Sequence, residues 1–169
     1  MQRLIILRGS MGVGKSTVAQ KFRSFPNKFA YLKIDDFKNI FEHAEKETRP
    51  MFHGAANAAL EYLLTQGYSV VMEGVFQNPA FIDKAAQVAK KNNVPYKVFE
   101  LTASIETLIK RDKSREEVQI GCREPLGKQA IQSICDKLAL NVCESAVRID
   151  TEHMTVDEIA AFIDQEFQK

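Results

Sequence analysis

Short apolar runs alternate along the chain with longer stretches of helical period, the arrangement in which helices wrap a mostly parallel sheet. Five runs read as strands: Arg3 to Arg8, Phe29 to Asp35, Tyr68 to Glu73, Tyr96 to Leu101 and Ala146 to Ile149, each short and mostly rich in Val, Ile, Leu, Tyr or Phe. The spacing predicts helices over Lys15 to Phe25, Phe37 to Glu45, Pro50 to Gln66, Pro79 to Asn92, Ile105 to Lys113, Gly127 to Leu140 and Val156 to Phe167, with Gly67 placed to end the third. The last is the most regular: Val156, Ile159, Ala160, Ile163 and Phe167 share one face, and Thr155 with Glu158 forms a capping box in which each side chain satisfies the other's backbone amide. The rhythm breaks between Ser114 and Leu126, where charges, Gly121 and Pro125 intervene, and this stretch reads as a mobile flap. The pattern predicts one α/β domain over residues 1–169, with a lid at about 114–126 and a helical cap at about 37–66.

Composition narrows the class. The chain has 169 residues, 45% hydrophobic and 27% charged, and its net charge of +1 argues against a bulk nucleic-acid or membrane-surface binder. No run approaches the ~20 apolar residues of a membrane span, so no membrane is expected as partner, and with the balanced charge no stable nucleic-acid binding is expected either. Cys122, Cys135 and Cys143 form no CxxC pair and cannot all pair within one chain, and the start has no secretory pattern, so a cytoplasmic location is expected. The sequence carries no signal for an oligomeric state.

The strongest chemical signal follows the first strand. Gly9-Ser10-Met11-Gly12-Val13-Gly14-Lys15-Ser16 matches the Walker A pattern, between an apolar strand and a helical run. Glycines let the backbone curl so that successive amides point at an anion, Lys15 spans the outer phosphates, and the Ser16 hydroxyl can hold Mg²⁺. The following helix adds its positive N-terminal end. Thr17 supplies either a second hydroxyl near the inner phosphate or a local backbone partner. ATP or GTP with Mg²⁺ is the expected nucleotide.

Other segments decide which kind of phosphate binder this is. A GTPase would carry DxxG and NKxD; no DxxG occurs, and Asn27-Lys28 runs into Phe29-Ala30. A motor ATPase would need more chain and a strand ending in a run such as Asp-Glu, whereas here it reads Val70-Val71-Met72-Glu73-Gly74. The second strand is expected to end in Ile34-Asp35-Asp36-Phe37, at the sheet edge where the carboxyl ends of parallel strands share a crevice. A carboxylate there can orient an acceptor hydroxyl and take its proton, which assigns Asp35 as base and Asp36 as helix cap. Glu73 is either a holder of Mg²⁺ water or substrate, or a buried hydrogen-bonded carboxylate.

With these segments in order, the chain resembles the adenylate-kinase-like P-loop kinases over nearly its whole length. Ile34-Asp35-Asp36-Phe37 is similar to the strand-two segment of the polynucleotide-kinase, zeta-toxin and chloramphenicol-phosphotransferase group, in which the first of the two positions acts as base. Glu73-Gly74 is similar to the Glu-Gly of zeta toxins, with Val75 and Gln77 in place of Thr and Arg. The Asp-Gly-x-Pro-Arg of nucleoside monophosphate kinases and the triple glycine of shikimate kinases are absent. The resemblance implies a three-layer α/β/α P-loop fold with a parallel five-stranded sheet ordered 2-3-1-4-5. It also implies an ATP-dependent phosphotransferase acting on a hydroxyl of a small-molecule or nucleotide-like acceptor. A nucleoside or nucleotide kinase and a zeta-toxin-like sugar-nucleotide kinase are the alternatives, with a nucleotide-gated binding module outside enzymes.

Arg111 and Arg115, four residues apart, share a helix side as it enters the irregular stretch, and by the same resemblance would meet nucleobase and phosphates, with Arg123 a further contact. An exposed helix end with ion pairs to Asp112, Glu116 and Glu117 is the alternative. The acceptor pocket is expected from Asp35, Phe37, Lys38, Arg49, His53, Asn57, Glu73, Phe76 and Gln77, with Lys38 where polynucleotide kinases carry an arginine. His43 and His53 read as solvated helical residues, Phe22, Phe25 and Phe29 as core, and Cys122 as an ordinary thiol. Asp150-Thr151-Glu152-His153 follows the fifth strand, where relatives touch adenine through backbone groups.

Overall fold

The computed structural model describes residues 1–25, 28–40, 48–114 and 125–169. Strands β1 (Leu4–Gly9), β2 (Phe29–Lys33), β3 (Ser69–Gly74), β4 (Tyr96–Thr102) and β5 (Ala146–Asp150) form one parallel sheet in the order β2-β3-β1-β4-β5. The helices are α1 (Lys15–Phe22), α2 (Ile34–Lys38), α3 (Arg49–Thr65), α4 (Ala80–Lys91), α5 (Ile105–Lys113), α6 (Lys128–Leu140) and α7 (Val156–Glu166). They cover both faces, which is why β1 is a continuous apolar run. Its Leu4 and Ile6 pack with Phe52, Ala56 and Leu60 of α3 and with Ile82, Ala85 and Ala89 of α4. Its Ile5 and Leu7 pack with Val18 and Phe22 of α1, Leu108 of α5, Ile131 of α6 and Ile159 and Ile163 of α7.

Most element ends fall within a residue or two of the expected positions. Gly67, at φ 78, closes the third helix, and the capping box of Thr155 and Glu158 opens α7. The first helix stops at Phe22, three residues early. Tight bonds from Arg23, Ser24 and Phe25 to the carbonyls three residues before them turn the chain there, and Phe25 folds back to stack on Phe22 with ring centroids 4.9 Å apart.

The second strand corrects two expectations. It ends at Lys33, so Asp35 lies in a helix and not on a strand end, and Asp36 is not the cap: Lys33 holds that position, in extended backbone, and both aspartates fill the first turn of α2. Ile34 explains the early turn, because its buried side chain packs so closely over Gly74 that a Cβ there would sit 3.1 Å from it. Carboxylates in the first turn are favoured by the helix dipole. Of the helix expected over Phe37 to Glu45, Phe37 and Lys38 belong to α2, Asn39 and Ile40 form a turn, and residues 41–47 lie outside the described residues.

Two buried polar ties hold the α5 and α6 side of the molecule. Arg8, fully buried on β1, donates to its cross-strand neighbour Glu100 of β4 at 2.8 Å and to the carbonyls of Leu138 and Asn141 at the end of α6. Asp112, at the end of α5, accepts a hydrogen bond from the Gly127 amide at 3.2 Å, joining the two chain segments that flank residues 115–124.

Candidate functional site

The glycine-rich loop after β1 lies flush against its neighbours. A Cβ on Gly9 would stand 2.5 Å from the Leu101 carbonyl oxygen of β4, and one on Gly12, at φ 81, would stand 2.8 Å from that of Leu108 in α5. A side chain at either position would force the backbone to shift. The loop delivers the chain into α1, whose N-cap is Gly14 and whose first turn therefore carries no side-chain cap; such amides are donors for an anion. Lys15 is buried, and its Nζ donates to the Gly9 and Ser10 carbonyls at 3.0 and 2.8 Å, holding the ammonium along the inside of the bend.

Strand order then sets the acids. β3 lies between β2 and β1, so Glu73 has Leu7 as Cα partner on one side and Lys33 on the other. Its Oε1 accepts hydrogen bonds from the Ser16 hydroxyl at 2.7 Å and from the Tyr31 phenol at 2.5 Å. Glu73 is 2% exposed, and its Oε2 has no hydrogen-bond partner among the described residues. Burial first, and then the negative charge and hydrogen bond of Glu73, push the Tyr31 phenol well above its ordinary range, so it stays a neutral donor.

These groups line one cleft of about 880 Å³. Its floor is the loop from Met11 to Ser16 with Thr17; one end is walled by Tyr31, Lys33, Asp35, Asp36, Glu73, Gly74 and Val75, the other by Arg111, Thr151, Met154 and Val156. Arg111 donates to the Thr151 hydroxyl at 2.9 Å and to its carbonyl at 3.0 Å, and Thr151 is itself anchored to the Thr102 carbonyl. The half-buried guanidinium is thereby fixed against the loop after β5.

The cleft brings together Met11, Gly12, Val13, Gly14, Lys15, Ser16, Thr17, Asp35, Glu73 and Arg111. Gly9 and Ser10 lie buried behind it, and Phe37, Lys38, Asn57 and Gln77 are not among its lining residues. Phe37 packs on the α3 and α4 side of the sheet. Arg49 is the first residue of α3 and is described by its backbone alone. Arg115, Arg123, His43 and Cys122 lie outside the described residues, as does most of the expected lid.

Two further readings change. Phe76 is core and not pocket wall: it is 4% exposed, at φ 48, in the space that Gly74 leaves open. His53 is not a solvated helical residue, because its ring stacks on Phe81 with centroids 3.8 Å apart. Phe22, Phe25 and Phe29 do cluster together, as expected.

Tyr31 and Lys33 are cleft residues that sequence reasoning missed, whereas Thr151 belongs to the segment after the fifth strand already marked for the nucleobase. The signal for Tyr31 is the alternation of β2, where Phe29 and Tyr31 face the α1 side and Ala30 and Leu32 the other. That signal gains meaning only once β3 is known to lie beside β2.

The donor set suits a hard divalent cation. Ser16 gives its proton to Glu73 and keeps its lone pairs, the buried Oε2 of Glu73 has no other partner among the described residues, and Asp35 lines the same cleft. All three offer oxygen, the ligand type Mg²⁺ prefers, so the residues fit this ion.

Residues 2–167 match the zeta toxin family. No curated protein sequence matches the chain. Among solved structures the chain is similar to the tunicamycin resistance protein of Deinococcus radiodurans, with a TM-score of 0.71 and 14% identity over 99% of this chain and 96% of that one. It is similar also to the APS kinase of Mycobacterium tuberculosis in complex with AMPPNP and APS, with a TM-score of 0.72 and 15% identity over 99% and 98%. A gluconokinase from Sinorhizobium meliloti gives a TM-score of 0.67 and 19% identity over 99% and 97%. At these identities the likeness shows a shared fold, the three-layer P-loop arrangement with the sheet order found here.

Proposed function

Because the chain belongs to the zeta toxin family, we propose that it is an ATP-dependent phosphotransferase that moves the γ-phosphate to a hydroxyl of a small-molecule or nucleotide-like acceptor. The observation that carries the reading is the convergence of Lys15, Asp35 and the Ser16–Glu73 pair on one cleft, from the ends of three adjacent strands.

The chemistry follows from these groups. The first-turn amides of α1 and Lys15 bind the β- and γ-phosphates, Lys15 exchanging the Gly9 and Ser10 carbonyls for phosphate oxygens. Arg111, fixed by Thr151, lies at the end of the cleft away from Asp35 and meets the nucleoside portion. The acceptor enters beside Asp35 and Val75. As its hydroxyl oxygen bonds to the γ-phosphorus, the bond to the β,γ-bridging oxygen breaks, ADP leaves, and the hydroxyl proton passes to the Asp35 carboxylate and on to water. Ser16 and Glu73 would hold Mg²⁺, which when bound neutralises phosphate charge. Arg115 and Arg123 are proposed phosphate contacts on their sequence position.

The test is transfer of labelled phosphate from ATP to a panel of nucleosides, sugar nucleotides, sugars and hydroxylated antibiotics, preceded by a thermal-shift screen with ATP analogue and Mg²⁺. Transfer to one chemical class is the expected result. Tight nucleotide binding with no transfer to any member would replace this reading with a nucleotide-gated binding module.

A further inference from the structure

We infer that Tyr31 is a positioning residue that holds the Glu73 carboxylate in register with Ser16, and that through this contact it sets how tightly the cleft takes a divalent cation together with nucleotide. The inference rests on the phosphotransferase reading and adds to it a residue that acts through Glu73.

A carboxylate that is 2% exposed needs donors, and Glu73 has two among the described residues, both hydroxyls. Both fall on Oε1. Two bonds to one oxygen, from α1 and from β2, constrain the plane of the carboxylate about its last torsion and leave Oε2 with no hydrogen-bond partner among the described residues. With Ser16 alone, a single bond holds that torsion less firmly and either oxygen can accept. The Ser16 hydroxyl has a single proton, and giving it to Oε1 aims the serine lone pairs away from Glu73. Tyr31 therefore orients a cation ligand at one remove, as outer hydrogen bonds commonly do around metal sites.

The phenol reaches Glu73 directly. Tyr31 packs its half-buried ring on the apolar α1 face of the sheet, where phenylalanine would fill the same volume, so what the hydroxyl adds is its hydrogen bond to Glu73. Tyr31 and Glu73 are 42 residues apart in sequence and meet only because β2 and β3 are neighbours.

The experiment titrates the full-length chain calorimetrically with a non-hydrolysable ATP analogue in EDTA, then titrates Mn²⁺ into the analogue complex and follows the bound ion by electron paramagnetic resonance. The proteins are wild type, Tyr31→Phe, Glu73→Gln and the double variant. Tyr31→Phe should keep metal-free nucleotide affinity within about twofold and its melting temperature within a few degrees, while Mn²⁺ affinity falls by about tenfold. The double variant should bind Mn²⁺ no more weakly than Glu73→Gln, because the phenol acts through that carboxylate. Wild-type Mn²⁺ affinity in Tyr31→Phe, or two effects that simply multiply in the double variant, would overturn the inference while leaving the phosphotransferase reading intact. A wild-type protein whose nucleotide complex takes up no Mn²⁺ would remove that reading, and the role of Tyr31 with it.

Discussion

Asp35 and Lys15 carry separable parts of the proposed chemistry, and single substitutions distinguish them. Asn in place of Asp35 keeps the shape of the side chain and removes its capacity to take a proton. Nucleotide affinity should stay within a few-fold while phosphoryl transfer falls by roughly 10²–10⁴, as initial rates at saturating ATP would show. Unchanged turnover would exclude Asp35 as the base. Lys15→Ala should weaken nucleotide binding and transfer together, because the ammonium is the proposed phosphate contact and bridges the Gly9 and Ser10 carbonyls that shape the loop. Calorimetry showing wild-type affinity in that variant would contradict the assigned phosphate contact.

The helices differ in how their first turns are satisfied, and the difference separates site from scaffold. α7 satisfies itself: the Thr155 hydroxyl accepts from the Glu158 amide and the Glu158 carboxylate accepts from the Thr155 amide. The backbone bond from Thr155, and then its hydroxyl, hold the Glu158 carboxyl below the usual carboxylate range. A depressed folded-state pKa contributes stability that is full above the ordinary glutamate range and lost as the pH falls through the depressed value. Glu158→Ala should therefore melt below wild type at pH 7 and approach it in strong acid, and a gap that persists unchanged at pH 3 would count against the carboxylate as the source. α1 instead opens at Gly14, with no side chain to cap it, behind a loop pressed on β4 and α5. Gly12→Ala meets both the left-handed φ and the Leu108 carbonyl, a strain of about 1–3 kcal/mol. The variant should show a lower melting temperature together with weakened ATP-analogue binding; unaltered binding would mean that the loop does not need this close approach.

Across the whole molecule, the sheet edge that carries the site is braced by a buried ion pair that does not line the cleft. Arg8 and Glu100 join β1 to β4, and the same guanidinium caps the carbonyl end of α6. Removing one partner leaves an uncompensated buried charge, so Arg8→Met should lower the unfolding free energy by about 3–5 kcal/mol, read as a shifted urea midpoint, and Arg8→Met with Glu100→Leu should recover part of it. A single variant as stable as wild type would mean that water reaches Glu100. No helix among the described residues is long and apolar enough to cross a membrane.

The alternation of strands and helices, the phosphate loop and the capping box were legible along the chain because each depends on residues within a few positions of one another, where backbone preference and local hydrogen bonds suffice. Periodicity alone did not order the sheet; that expectation came from the family resemblance. Three features needed the assembled molecule. The turn into α2 depends on Ile34 packing over Gly74, the acid site depends on β3 bringing Glu73 between Ser16 and Tyr31, and Arg8 finds its partner 92 residues away. Each joins side chains whose burial is shared across strands, and a buried polar or apolar group takes whichever partner the packing supplies, which no local stretch of sequence encodes.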